Sequence, residues 1–198
     1  ADWLIDRIQT GFSLTDTRRE IRSVWIEMFE AFARVAYASA DRITTLYSAN
    51  QSFQRALGAP DDKLSVIPNG IALEKFDALV PETDKPRPVI GLIGRVVPIK
   101  DIETMIRTAA FVRDRIPDVE VLIIGPTDED PDYFAACQAR VAELNLENTV
   151  VFTGRMNIFD ILPRLDVMML TSISEAQPLV LLEAGAARIP CVATDVGS

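Results

Sequence analysis

The sequence predicts an α/β protein built on a doubly wound, Rossmann-like parallel sheet, and three observations predict it. From residue 88 onward, short apolar runs alternate with helical segments. Those runs are continuously apolar instead of alternating inward and outward, as strands covered on both faces are. Glycine and polar residues gather just after each run, at Gly94 and Arg95, Gly125, Gly154, and Ser172 to Glu175. Ligands of open parallel sheets bind there, outside the carboxyl ends of the strands.

The elements follow in chain order. Ile21, Val24, Trp25, Met28, Phe29 and Phe32 recur at helical spacing within residues 17–40, which predicts an amphipathic helix packed on a core. Its polar face mixes Arg18, Arg19, Arg22 and Arg34 with Glu20, Glu27 and Glu30, whereas an interfacial membrane helix would favour positive charge. "DRITTLYS" (41–48) reads as a β-branched strand and "ANQSFQRALGA" as a helix ending near Gly58. "KLSVIPNG" reads as a strand closed by a Pro-Asn-Gly turn. "VPETDKPRP" (80–88) is polar, carries three prolines and is the expected interdomain linker. The expected division is therefore 1–79, a linker at 80–88, and 89–198.

In the last part, "PVIGLIGRV", "VEVLIIG", "NTVVFTG", "DVMMLTS" and "PCVATDV" are the strands. Between them, "DIETMIRTAAFVRDRI", "DYFAACQARVAELNL", "IFDILPRL" and "PLVLLEAGAARI" are the helices. Asp101 is placed to cap the first helix and Pro178 to open the last.

Composition bounds the function. The 198 residues are 48% hydrophobic and 25% charged, as in ordinary globular proteins. A net charge of −9 without a basic tract argues against nucleic acid as a partner. Cys137 and Cys191 are too few for a disulfide framework or zinc site and are expected to be buried thiols. Histidine, the commonest general base, does not occur. No apolar run reaches the roughly 18 residues of a membrane span. The chain opens "ADWLIDRIQTGFS" and closes "CVATDVGS" on a fresh strand, so it is expected to be a fragment of something longer.

"SEAQPLVLLEA" (174–184) sets Glu175 before a helix and Glu183 inside its apolar run. Were the rise fully helical, they would lie about 12 Å apart. A retaining glycosidase holds its two carboxyls at roughly 5 Å, so a hydrolytic pair is disfavoured. Carboxylates so far apart suit hydroxyls at the two ends of an elongated ligand. The helix N-terminus between them suits a phosphate, and a nucleotide-sugar has that layout. In "GLIGRVVPIKD" (91–101), Arg95 and Lys100 follow a strand and supply cations for a diphosphate. Taken singly, each of these residues fits an ordinary solvated surface position equally well.

Together, "IPNGIALEKF", "GRVVPIKD", "GPTDEDPDY" and "LTSISEAQPLVLLEA" resemble, in order and spacing, the retaining glycosyltransferases of family 4, especially the branch of the Pel exopolysaccharide transferase PelF. The resemblance runs from about residue 35 to the end. It implies the GT-B architecture of two Rossmann-like domains. Residues 89–198 would be the donor-binding domain, truncated at its C-terminus, and 1–79 the tail of the acceptor-side domain. By the same resemblance, Gly94, Arg95 and Lys100 contact the donor diphosphate, and Glu175 binds the transferred sugar. Ala176, Gln177, Pro178 and Leu179 line the donor loop, and Glu183 binds the ribose. Gly154, Arg155 and Met156 form the loop that reads the base. Arg95, Lys100 and Glu175 are the residues expected to act in catalysis, with charge stabilisation carrying much of it.

The resemblance further implies a hexosyltransferase with UDP-glucose as donor, a growing exopolysaccharide or other glycan as acceptor, and no cofactor or metal. It implies a cytoplasmic location, peripheral at the inner membrane through a polysaccharide-synthesis complex, and an isolated fragment without activity. Departures occur at Ala176, where the family commonly has glycine, at Arg188 in place of a helix-ending glycine, and at Ala72 in place of aspartate. Gly185 falls within the predicted helix, at a cost of about 1 kcal/mol relative to Ala. Asp128 and Asp130 form the D-x-D pattern of metal-dependent GT-A transferases, a reading that the rest of the chain does not support. A non-catalytic nucleotide-sugar binding module and a GT-B sugar-nucleotide epimerase stand as alternatives to transfer.

Overall fold

The computed structural model describes residues 14–197, with side chains from Ser23 onward. The chain forms two compact units, Ala1–Pro68 and Asn69–Ser198.

The first unit contains α1 (Leu14–Ser39), β1 (Ile43–Thr45), α2 (Asn50–Ala56) and β2 (Leu64–Val66). β1 and β2 pair in parallel, Ile43 opposite Leu64 and Thr45 opposite Val66. Lys63 Nζ donates to the Ala40 carbonyl at 2.8 Å, fixing the end of α1 beside the strands. Helix α1 is where predicted, but its stripe is not packed away. Trp25 is 53% exposed, and Phe29 and Phe32 are each 64% exposed. Two three-residue strands provide too little apolar surface to cover a 26-residue helix. The side chain of Ile21 lies outside the described residues.

The second unit contains β3 (Val89–Ile93), α3 (Ile102–Arg113), β4 (Glu120–Ile124), α4 (Pro131–Glu143) and β5 (Val150–Gly154). These are followed by α5 (Ile158–Ile161), β6 (Val167–Leu170), α6 (Leu179–Ala186) and β7 (Cys191–Ala193). The strands form one parallel sheet in the order β5-β4-β3-β6-β7. Pleating sends successive residues to opposite faces. Val121 and Ile123 therefore join Leu92, Met105, Ile106, Cys137 and Val141 in a core beneath α3 and α4. Leu122 and Ile124 join Phe76, Ile161, Met168 and Ala184 in a second core beneath α5 and α6. Both faces are covered, which is why the strands read as unbroken apolar runs.

Three expectations need correction. The boundary falls between Pro68 and Asn69 instead of near 80. Residues 80–88 are bound to the sheet domain and do not form a tether. Glu82 N–H donates to the Pro163 carbonyl at 2.8 Å, and Lys85 Nζ lies 2.6 Å from Asp166 Oδ1. Just upstream, Phe76 is buried against Phe159, ring centroids 5.2 Å apart. Cys191 is exposed and only Cys137 is buried, because β7 is an edge strand whose three residues are all exposed. Gly185 lies next to the end of α6, where a helix tolerates it better than in its middle.

Candidate functional site

Strand order reverses direction between β3 and β6, and the crevice above such a switch point is where α/β sheets bind ligands. The loops after β3 and β6 meet there. Lys100, at the end of the β3–α3 loop, places Nζ 2.5 Å from Glu175 Oε1, in the β6–α6 loop. Ser172 Oγ donates to the same oxygen at 2.6 Å. The Lys100 and Glu175 side chains are only 17% and 13% exposed, so this pair is held largely out of water. Burial alone would push the Glu175 carboxyl up. The hydrogen bonds from Lys100 and Ser172 and the charges of Lys100 and Arg95 outweigh burial and hold it below its ordinary value of 4.5.

Gly94 joins this pair to a neighbouring cavity. A Cβ added at Gly94 would stand 3.5 Å from Lys100 Cε, so the lysine stem passes directly over the glycine. Gly125 approaches from β4 at φ +151°, and a side chain there would strike the Gly94 carbonyl. Gly94 N–H donates to Ile124 O, and Gly125 N–H to Gly154 O, each at 2.9 Å, binding three strand ends into one floor. Above it opens a cavity of about 410 Å³ lined by Ile93, Gly94, Arg95, Gly125, Glu129, Arg155 and Met156, among others. Arg95 Nη1 contacts Glu129 Oε2 at 2.8 Å, and both side chains are substantially exposed.

Among the predicted residues, Gly94, Arg95, Arg155 and Met156 share this cavity, while Lys100 and Glu175 form the adjoining ion pair. Gly154 sits beneath it at φ +70°. Gln177 is tied to the predicted Pro-Asn-Gly turn: Asn69 N–H donates to its Oε1, and Asn69 Nδ2 to its carbonyl. Ala176 is exposed, and Pro178 is the N-cap residue of α6, one position before the first helical residue, Leu179. Residues 173–178 are non-helical, so the path between Glu175 and Glu183 is only partly helical. Glu183 is half-buried in α6, and burial raises its carboxyl above the ordinary value. Among the described residues its carboxylate takes no hydrogen bond or ion pair.

The helix N-termini around the crevice differ. In α3, Tyr133 Oη accepts from Ile102 N–H at 2.9 Å and Asp101 accepts from Thr104 N–H at 3.2 Å, as predicted for the cap. In α4, Asp130 accepts from Tyr133 N–H at 3.0 Å, which gives this member of the D-x-D pattern a structural task. In α6 no side chain caps the first turn. Its amides are thus the ones left for an anion.

Sequence reasoning placed Ser172 at a ligand-binding strand end without giving it a role, and missed Thr171 and Glu129 as parts of this site. The available signal for the first two was a pair of hydroxyls following a buried apolar strand; Glu129 carried none.

Residues 87–198, more than half the chain, match the family described as Glycosyl transferases group 1. The chain belongs to that family. Residues 2–62 match a domain of unknown function, DUF3492. The chain is 28% identical over 202 residues to UDP-Gal:alpha-D-GlcNAc-diphosphoundecaprenol alpha-1,3-galactosyltransferase of Escherichia coli, covering 94% of this chain and 50% of that protein. It is 25% identical to N-acetyl-alpha-D-glucosaminyl L-malate synthase of Bacillus anthracis, covering 87% and 43%. It thus spans about half the length of the curated relatives it matches. Among solved structures, Anabaena HepE in complex with UDP and glucose aligns with a TM-score of 0.73 at 22% identity, over 85% of this chain and 49% of that one. Staphylococcus aureus TarM in complex with UDP aligns at 0.69 and 20% identity, over 84% of this chain and 32% of that one. These likenesses show the Rossmann-like α/β fold. Among the described residues, no helix is long and apolar enough to cross a membrane.

Proposed function

We propose that this chain carries the donor half of a retaining glycosyltransferase that moves a hexose, glucose by preference, from a UDP-sugar to a glycan. A growing exopolysaccharide is the acceptor class, as the likeness to the PelF branch suggests. Residues 89–198 hold the donor, with no metal or other cofactor required. The acceptor side is completed by residues beyond this chain, so the isolated chain binds donor without turning it over. The chain works on the cytoplasmic side of the inner membrane, recruited by a polysaccharide-synthesis complex. The observation that carries this reading is the crevice itself. A buried Lys100–Glu175 pair, an uncapped α6 N-terminus and the cavity of Arg95, Arg155 and Met156 lie at the switch point of a family-typical sheet. A relative whose name specifies UDP-Gal, and neighbours bound to UDP, support the choice of nucleotide.

In this reading, Arg95 and Lys100 hold the diphosphate with the α6 amides and stabilise its charge as the glycosidic bond breaks. Glu175, ionised at neutral pH, orients the sugar through its hydroxyls. Glu183 accepts from the ribose, and that bond compensates the burial of its carboxylate. The leaving diphosphate stays on the face where the acceptor arrives, so configuration is retained without a protein nucleophile.

Calorimetric titration with UDP, in EDTA, tests the reading. Saturable binding that is lost in Arg95→Ala and Glu183→Ala supports it. A folded chain that takes up no UDP, or binds only when manganese is added, contradicts it.

A further inference from the structure

The apolar strand β6 is followed by two hydroxyl residues, Thr171 and Ser172, 4% and 1% exposed. Buried polar side chains in such a place must spend their hydrogen bonds on something specific. Thr171 Oγ1 lies 2.9 Å from the Lys100 carbonyl and 3.0 Å from that of Asp101. Ile173 N–H donates to the Ile99 carbonyl at 2.9 Å, so two of the three residues after β6, Thr171 and Ile173, are tied to residues 99–101. Asp101 needs such a tie, because it stands at φ +46°, a left-handed conformation unfavourable to residues with a Cβ. Ser172 Oγ turns the other way, onto Glu175 Oε1. Its own carbonyl is held by Thr194 Oγ1 at 2.7 Å.

We propose that the carboxyl end of β6 is the positioning element of the donor site, with Ser172 fixing the sugar-binding carboxylate and Thr171 fixing the backbone of Lys100. The proposal rests on the donor reading above. Lys100 and Ser172 share Glu175 Oε1, while among the described residues Oε2 takes no bond and is free for a ligand hydroxyl. When a diphosphate draws Lys100 away, Ser172 is the remaining protein donor on Glu175. The carboxylate then keeps its orientation during the step in which orientation counts. Neither residue is expected to touch the donor itself.

The two hydroxyls therefore have separable effects. Wild type, Ser172→Ala and Thr171→Val are titrated with UDP and with UDP-glucose from about pH 4 to about pH 8. Ser172→Ala is expected to leave UDP affinity within about twofold. It should cut the preference for UDP-glucose over UDP roughly tenfold, the worth of one hydrogen bond to a charged group. On acidification that preference should fade at higher pH than in wild type, because Glu175 has lost a donor that favours its ionised form. Thr171→Val, near-isosteric, should weaken both ligands together. A Ser172→Ala protein with wild-type preference at every pH overturns the proposal, as does one that loses UDP and UDP-glucose equally. If Ser172→Ala does not fold, unchanged UDP binding in Thr171→Val overturns it instead. A wild type that binds UDP without preferring UDP-glucose overturns the sugar-site reading itself, a result distinct from either variant's.

Discussion

Glu175→Gln removes one charge from the crevice and almost no volume. The glutamine carbonyl can still accept from Ser172 and Lys100, so the substitution isolates the ionic part of the contact. An exposed ion pair is worth at most about 1 kcal/mol, and breaking a fully buried one costs about 3–5 kcal/mol. With side chains 17% and 13% exposed, this pair lies between. Because the hydrogen bonds survive, the expected loss of stability is about 2 kcal/mol at pH 7. With a urea slope of about 2 kcal/mol/M, the midpoint falls by about 1 M.

The pH dependence has a definite sign. The folded-state carboxyl is held below its ordinary value of 4.5. Its contribution is therefore complete above that value and disappears as pH falls through the folded value. Wild type and Glu175→Gln should differ fully at pH 7 and converge as pH falls below about 4.5. Far-UV circular dichroism is the suitable signal, since both tryptophans, Trp3 and Trp25, precede the sheet domain in the sequence. A pH 7 difference under about 0.5 kcal/mol would refute the reasoning, because the pair would then behave as an exposed one. So would a difference that persists unchanged in acid.

Three further substitutions have expected outcomes. Glu129→Ala frees Arg95 from its 2.8 Å partner and should tighten UDP binding two- to fivefold, roughly the worth of an exposed ion pair, as read by calorimetry. Gly125→Ala drives a methyl into the Gly94 carbonyl; thermal denaturation should show a loss above about 2 kcal/mol, with UDP binding reduced as well. Arg188 occupies φ +63° just past α6, where Arg188 N–H donates to Gly185 O at 3.0 Å and Ile189 N–H to Ala184 O at 2.9 Å. This is a Schellman closure that glycine makes without strain. Arg188→Gly should raise stability by up to about 1 kcal/mol, relief of the left-handed strain exceeding glycine's extra unfolded-state freedom. A lower melting temperature would be the contrary result.

The sheet domain was largely legible in the sequence because its signals are local. Unbroken apolar runs marked strands buried on two faces, Asp101 marked the start of a helix, and glycines marked the strand ends where backbones crowd. The Arg188 departure pointed to a position that does adopt the left-handed conformation. What stayed hidden depends on contacts distant in sequence. Three prolines made 80–88 look like a tether, but Lys85 finds Asp166 some eighty residues later. The stripe of α1 announced a helix without saying how much surface the first unit has to cover it. Ser172 and Thr171 look like ordinary loop entry residues until the fold brings Lys100 and Glu175 to their hydroxyls. Glu129, in an acidic run, carried no mark separating it from its solvated neighbours.

The most direct test of the donor site is a crystal structure of the chain with UDP-glucose. The diphosphate should lie between Arg95, Lys100 and the first turn of α6, with the sugar on Glu175 and the ribose on Glu183. Nucleotide bound anywhere else on the sheet domain, with the Lys100–Glu175 pair undisturbed, would contradict the assignment.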